Sequence, residues 1–401
     1  MAGNRKMLYL AALAIATLIA ALLLMYGLGD SQDEDDLPYF SISGSTELEG
    51  NFYISFVYSS NIIMLDGKGN IVYFHHEDEG DDGVNAGFWD FKKHVIDGKI
   101  YYSYHDQDSS EDKLGIDGFA PGDRVILDAH FNEVKRIRFE QSDIVEKGHP
   151  LDGHDFYLFD LDHYIMSGYI RDRVYNIPGY PDGSNVIYSY LQEVKDGEVV
   201  WDFRTVDYPE LYSLTVTDAV ATANDFANEQ VDAPDYVHFN AMRVNDDGDL
   251  VVSYRHLNSI ICLDRTAEED QIKWILSGKD DMFGLTDDQK TSSQHYVTVD
   301  GDNVTVFDNH NITGETRICS YDIDTENHAL VDFHQYRVDG KFTAACGSAQ
   351  LLYGETYVIG WGHSNNDYVC LSVYDFAKDE ELFRMTLDNN TNFTYRCVYY
   401  D

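Results

Sequence analysis

Basic residues are few in this chain. Twenty-eight lysines and arginines stand against 71 aspartates and glutamates, a formal net charge of −43. That balance argues against nucleic acid or an anionic membrane surface as a partner. The acidity is spread along the chain and reads as a solvated surface suited to salt. Proline is scarce too, 7 residues in 401, while 30 tyrosines and 21 phenylalanines accompany recurrent β-formers. This favours an all-β chain. Cysteine is limited to Cys262, Cys319, Cys346, Cys370 and Cys397. None has the paired C-x-x-C spacing, so a zinc cluster is not expected. Disulfides and buried core thiols both stay open, and an odd count leaves at least one thiol free.

One long apolar run covers residues 7–28. At about 1.5 Å per residue it is long enough to cross a hydrocarbon core of roughly 30 Å. No A-x-A cleavage site and no lipid-accepting cysteine follows it, so a signal anchor is preferred to a cleaved signal peptide. Arg5 and Lys6 precede it, which puts residues 1–6 in the cytoplasm and the remainder outside. The run DSQDEDD at 30–36 opens an acidic linker over 29–49. Residues 50–401 then form the folded domain.

That domain carries weak self-similarity at roughly 45–55 residues, the mark of an array. The segment 236–278 shows the unit clearly. Apolar runs at 241–244, 250–254, 259–263 and 271–276 are separated by turn residues, so the unit is one antiparallel sheet of about four strands. Similar units are expected around 62–74, 89–139, 154–203, 295–336 and 348–386. The strand-like runs 52–58 and 393–400 lack neighbours in sequence. Joining them in one blade closes a ring and removes two open edges. The result is a β-propeller of about six blades. Residues 205–234 break the pattern and read as a partly helical insertion on one face, placed as a lid or a surface loop.

Inner strands of a propeller begin near its axis. Three unit starts carry histidine: His154 in GHDF, His238 in VHFN and His295 in SQHY. Arg255 and His256 follow the second strand of the middle unit, and Asn240 shares a strand face with His238. With no interleaved carboxylate triad in these motifs, the cluster reads as a cationic pocket for a compact oxyanion such as sulfate or phosphate. A neutral histidine there can serve as nucleophile or as acid and base. The competing reading is zinc on three histidines; Arg255 disfavours a dication, while Asp155 favours one. The anion site is preferred, and no metal or cofactor is expected. Asp155, Arg171, Arg173 and Arg243 are weaker site candidates, and His149, His163 and His363 read as surface or packing residues.

These residues resemble the arylsulfate sulfotransferase family. The matching elements are His238-Phe239-Asn240, SYRHLNSIICLDR at 253–265, KWILSG at 273–278, Gln294-His295 and VTVFDNHN at 304–311, with GHDF upstream. The resemblance implies a six-bladed propeller outside the cytoplasm. It implies sulfuryl transfer from a phenolic sulfate to a phenol, without a nucleotide sulfate donor, through a sulfohistidine. His295 would then be the nucleophile. His154, His238, Asn240 and Arg255 would hold the sulfate oxygens, one of the two other histidines would move the phenol proton, and His256 would join the substrate site. The alternatives are a non-catalytic extracytoplasmic propeller that binds a ligand or partner, and a related anion hydrolase.

Overall fold

The computed structural model describes residues 37–77, 87–108, 110–112, 114–116, 118–216, 226, 233–364, 368–388 and 393–401. The run 7–28 expected to cross a membrane lies outside these residues. Among the described residues no helix is long and apolar enough to do so. Half of the expected insertion at 205–234, residues 217–225 and 227–232, also lies outside them. What is described of it is a 3-10 turn at Thr205–Asp207 and a single helical turn, α1, at Leu211–Leu214.

Among the described residues of 39–401 the strands form six sheets. β1 is Phe40–Gly44. Blade I holds β2 (Asn51–Phe56), β3 (Asn61–Asp66) and β4 (Ile71–His76). Blade II holds β5 (Phe88–Ile96), β6 (Lys99–Gln107), β7 (Pro121–Leu127) and β8 (Glu133–Ile137), and the short β9 (Leu151–Asp152) pairs with β7. Blade III holds β10 (Phe156–Asp160), β11 (His163–Val174), β12 (Ser184–Lys195) and β13 (Glu198–Arg204). Blade IV holds β14 (Phe239–Val244), β15 (Leu250–Tyr254), β16 (Ser259–Leu263) and β17 (Ile272–Leu276). Blade V holds β18 (His295–Asp300), β19 (Asn303–Asp308), β20 (Arg317–Asp324) and β21 (Ala329–Tyr336). Blade VI holds β22 (Ser348–Tyr353), β23 (Thr356–Gly360), β24 (Val369–Asp375) and β25 (Glu380–Leu387). β26 (Thr394–Tyr400) pairs antiparallel with β2, Ile54 opposite Cys397, and becomes the inner strand of blade I. The ring closes as expected from the two orphan runs. The expected linker 29–49 does not stay a linker throughout, because its residues 40–44 form β1 on the outer edge of blade VI beside β25.

Local chemistry explains the units. Asp97-Gly98 and Asp196-Gly197 both have positive φ, 50° and 72°, then 54° and 80°. These are the conformations a two-residue hairpin with type I′ geometry requires, and glycine adopts them without steric cost. Every residue of β15, β16 and β23 is buried, whereas no residue of β21 is. Middle strands are covered on both faces by neighbouring blades, which is why they read as continuous apolar runs. Each aliphatic side chain so covered contributes about 1.5–3 kcal/mol. All five cysteines are free and buried, so they are core residues.

The inner strands share one irregularity. The pairing register shifts between Trp89 and Lys92, between Phe239 and Ala241, and between His295 and Val297. Asp90 and Tyr296 take φ of 50° inside two of these bulges, and His238 takes 50° just before the third. A bulge lets a strand turn an extra side chain toward the axis.

Candidate active site

His154 precedes β10, His238 precedes β14, and His295 opens β18. Three consecutive blades therefore deliver the three histidines to one end of the axis. Arg255 and His256 occupy the 3-10 turn Arg255–Leu257 between β15 and β16. Their backbone N–H groups donate to the carbonyls of His238 (2.8 Å) and Val237 (2.9 Å), extending the β14–β15 ladder and pinning this turn against His238. The His154 and His238 rings lie 5.2 Å apart edge-to-face, and His238 and His256 lie 4.7 Å apart. Gly118 rests over the first pair. A Cβ at that position would stand 3.4 Å from His238 Nε2 and 3.8 Å from His154 Nε2, so both nitrogens face one point.

The sequence reading of a pocket without carboxylates is corrected here. His154 Nδ1–H donates to Asp152 at 2.7 Å, and its backbone N–H donates to the same carboxylate at 3.0 Å. His238 Nδ1–H donates to Asp235 Oδ2 at 2.6 Å, and its backbone N–H donates to Oδ1 at 3.1 Å. Both rings are therefore aspartate–histidine dyads with Nε2 turned outward. Their signal was present in sequence, since an aspartate stands two residues before His154 and three before His238. His256 Nδ1–H donates to the Asp235 carbonyl at 2.7 Å.

Asp235, His238 and His256 offer ligand atoms within 4.8 Å of one another, a geometry that can hold a metal ion. Nδ1 of each ring is already hydrogen-bonded to Asp235, however, so a metal in that triangle would have to break both bonds. Asp155, the residue that favoured a metal in the sequence, turns away from His154 toward Lys92, Arg243 and Arg396.

His295 is built differently. Its Nδ1 meets Asn309 Oδ1 at 2.7 Å, and its Nε2 accepts the Cys346 backbone N–H at 3.2 Å. Burial comes first and the Arg255 charge second in holding His295 well below the ordinary imidazole value, against the Asn309 hydrogen bond that raises it. Burial likewise lowers His256, to about 4. It lowers His238 as well, although Asp235 pulls the other way. Burial would raise Asp235, but His238 and His256 hold it below the usual carboxylate value. The dyad at Asp235 thus rests as a carboxylate beside a neutral imidazole. Exposure is 2% at His154, 6% at His238 and 3% at His295, so the site is enclosed.

Asn240 sits in the same layer, with its amide nitrogen bonded and its buried Oδ1 without a hydrogen-bond partner among the described residues. Its Nδ2–H donates to the Gln294 carbonyl at 2.7 Å, and its backbone carbonyl accepts from Arg396 and Tyr395. Through its amide nitrogen it braces the strand of His295. Arg243 belongs with Lys92, Arg124 and Arg396 in a buried cluster around Asp90 and Asp155. Burial would raise Asp155, yet Arg396, Lys92 and Arg243 hold it well below its ordinary value. Tyr296, next to His295, lies under both the Arg243 and Arg396 guanidinium groups at 4.7 and 5.0 Å. Arg173 instead donates to the carbonyls of Asp182 and Gly183, and Arg171 is exposed. His163 pairs with Glu193, His149 packs near Phe139 and His363 stacks on Phe393.

Aromatic side chains wall the dyads. Trp89 and Tyr395 lie 5.7 and 5.4 Å from the His154 ring, and Tyr169 lies 5.7 Å from His238. A surface cavity of about 410 Å³ between blades II and III is lined by Lys135, Arg136 and Arg138. Those cations are paired with Asp162, Asp106 and Glu111, and none of the histidines described here borders it. The chemistry belongs to the axis.

Comparison with known proteins bears on this arrangement. No curated protein matches the chain. Among solved structures it is similar to a protein of unknown function from Bacteroides caccae, at 10% identity over 88% of this chain and 99% of that one, TM-score 0.45. It is similar to dihydro-heme d1 dehydrogenase NirN, at 12% identity over 92% and 78%, TM-score 0.38. It is also similar to virginiamycin B lyase from Staphylococcus aureus, at 9% identity over 87% and 99%, TM-score 0.36. At these values none of the three informs the site. A family model does: residues 182–366, which carry His238, Asn240, Arg255, His256 and His295, match arylsulfotransferase (ASST). Over that segment the chain is similar to the arylsulfotransferase family.

Proposed function

We propose that this chain moves a sulfuryl group from a phenolic sulfate to a phenol through a sulfohistidine at His295. The observation that carries the reading is the state of His295. It is a buried, neutral imidazole with its proton held on Nδ1 and its lone pair on Nε2, in the field of Arg255 and beside two aspartate–histidine dyads.

In the first half-reaction the Nε2 lone pair attacks sulfur. The bond from sulfur to the aryl oxygen breaks, and that oxygen leaves with the electron pair. Arg255 supplies positive charge for the sulfuryl oxygens. Once Nε2 is bonded to sulfur, the Cys346 N–H has lost its acceptor and a sulfuryl oxygen takes that place. In the second half-reaction the acceptor phenol gives its proton to Nε2 of His238 or His154, whose opposite nitrogens are held by Asp235 and Asp152. The phenol oxygen attacks sulfur, and the N–S pair returns to His295. Trp89, Tyr169 and Tyr395 flank the aryl groups. Gly118 lies over the dyads, so donor entry displaces this turn.

The test is p-nitrophenyl sulfate with the folded domain, with and without an added phenol, in the wild type and in His295→Ala. Nitrophenol release that needs the phenol and vanishes in the variant is expected. Release without an acceptor would make the protein a hydrolase, and silence across several donors would leave a binding propeller.

A further inference from the structure

The three histidines differ in what faces Nδ1. Asp152 and Asp235 are carboxylates, and Asn309, opposite His295, is a neutral amide. Asn309 is fully buried. Its Nδ2 donates to the carbonyls of Thr343 (2.9 Å) and Cys346 (3.0 Å). Two carbonyls on one side of the amide leave only one orientation, with Oδ1 toward His295. An acceptor at Nδ1 and a backbone N–H at Nε2 then fix the His295 tautomer independently of each other.

We propose that Asn309 is a positioning residue that keeps the sulfohistidine labile, and that a neutral amide rather than a carboxylate is what the second half-reaction requires. The inference rests on the sulfohistidine reading above. After attack, the ring holds sulfur on Nε2 and a proton on Nδ1, so it is an imidazolium bearing a sulfonate. The N–S bond breaks readily because its electron pair is drawn back into a cationic ring. A carboxylate at Nδ1 would stabilise that cation or remove its proton. Either change strengthens the N–S bond and slows transfer to the acceptor. At the same time it would make the free imidazole more basic and no worse as an attacking group. The dyads at His154 and His238 have the opposite need, since a proton carrier gains from an anion behind it. The groups facing His295 are consistent with this division: Arg255, His154 and His238 all lower its proton affinity, and the Asn309 hydrogen bond opposes them.

The variant to make is Asn309→Asp, which keeps the shape. At acidic pH its protonated carboxyl donates to Thr343 or Cys346 and accepts from His295, as the amide does. As the pH rises and the carboxyl ionises, the sulfohistidine is expected to persist. Nitrophenol then appears as a burst of one equivalent per site, followed by turnover about tenfold slower than wild type, tenfold being the effect of one unit in proton affinity. Mass spectrometry should find the sulfuryl group on the peptide containing His295. A purely structural role for Asn309 would not make the second step alone depend on pH. If the folded variant turns over like wild type at every pH while the wild type forms sulfohistidine, the inference is wrong and the transferase reading stands. If the wild type forms no sulfohistidine, both fall. Should the variant not fold, ¹⁵N-histidine spectra of the wild type decide. A His295 with its proton on Nδ1 at neutral pH supports the inference, and a proton on Nε2 or on both nitrogens overturns it.

Discussion

Asp235→Asn separates proton transfer from the rest of the reaction. In the folded protein the carboxylate accepts His238 Nδ1–H at 2.6 Å and the His238 backbone N–H at 3.1 Å. An asparagine of the same shape has one oxygen for these two donors. If its oxygen stays on the backbone N–H, its amino group faces Nδ1, and the histidine proton must move to Nε2, where it blocks the base. If the amide turns over, two donors are opposed at the backbone, at a cost of about 1–3 kcal/mol. The working tautomer is therefore depleted by about 5- to 150-fold, at 1.4 kcal/mol per decade. Losing the equivalent carboxylate of a serine-protease triad costs about 10⁴-fold. Stopped-flow release from p-nitrophenyl sulfate reads the two half-reactions apart. Nitrophenolate is a good leaving group, so the first turnover should persist at nearly its normal rate, while steady turnover with the acceptor phenol falls by the factor above. Asp152→Asn, measured alongside, shows whether His154 does the same work. Steady turnover within twofold of wild type in a folded Asp235→Asn protein would refute the role given to the dyad, and so would an equal fall in both phases.

Two further outcomes follow from burial. His238, His256 and His295 are harder to protonate folded than unfolded. Stability from them is full above the unfolded value of about 6.5 and falls as pH drops below it, by roughly 2 kcal/mol at pH 5 for His256, whose folded value is about 4. Urea unfolding between pH 7.5 and 5 should show this slope, reduced in His256→Gln, and an unchanged slope in that variant would contradict the assignment. Asp155→Asn removes the anion shared by Lys92, Arg243 and Arg396 and should cost about 3–5 kcal/mol or more. A loss under 1 kcal/mol by the same assay would mean the cluster is not held by charge.

The architecture was legible because each of its signals is local. Alternation, aspartate–glycine turns and the two unpaired runs are written within a few residues of the hairpins they specify. β1 is hard to read because the alternation in Phe40–Gly44 is only five residues long, close to an acidic run, and its partner β25 lies more than 300 residues away. The site was half legible. Histidines at unit starts could be counted, and Asp152 and Asp235 stood close enough to be paired with them. Asn309 reaches His295 across the β18–β19 hairpin of blade V, in a register that the bulge at His295–Val297 shifts, and Cys346, 51 residues away, reaches it only where blades V and VI meet. The brace from Asn240 to the next blade escapes the sequence for a related reason. Alternation places it on the face of His238, but the bulge at Phe239–Ala241 interrupts that register, and its amide goes to the neighbouring blade.

Ring closure and chemistry are joined through the same atoms. β26 brings Tyr395 and Arg396 to the axis, where Arg396 Nη2 donates to the Asn240 carbonyl at 2.6 Å. Asn240 Nδ2 donates to the Gln294 carbonyl at 2.7 Å, and the next residue is His295. The strand that closes the propeller is thus three links from the attacking nitrogen. Each buried bond is worth only about 0.5–1.5 kcal/mol, so the chain adds little to stability that the sheets do not already supply. Its value is geometric: reaction requires the nucleophile within a few tenths of an ångström of its productive position. The axis cluster adds a second contribution. Lys92, Arg124, Arg243 and Arg396 gather around Asp90 and Asp155, so cations are concentrated near the histidines although the molecule carries −43. Under the proposed function, an anionic sulfate ester would be repelled by the surface at long range and attracted only within the site, where low dielectric makes the local cations count for more than the distant acids.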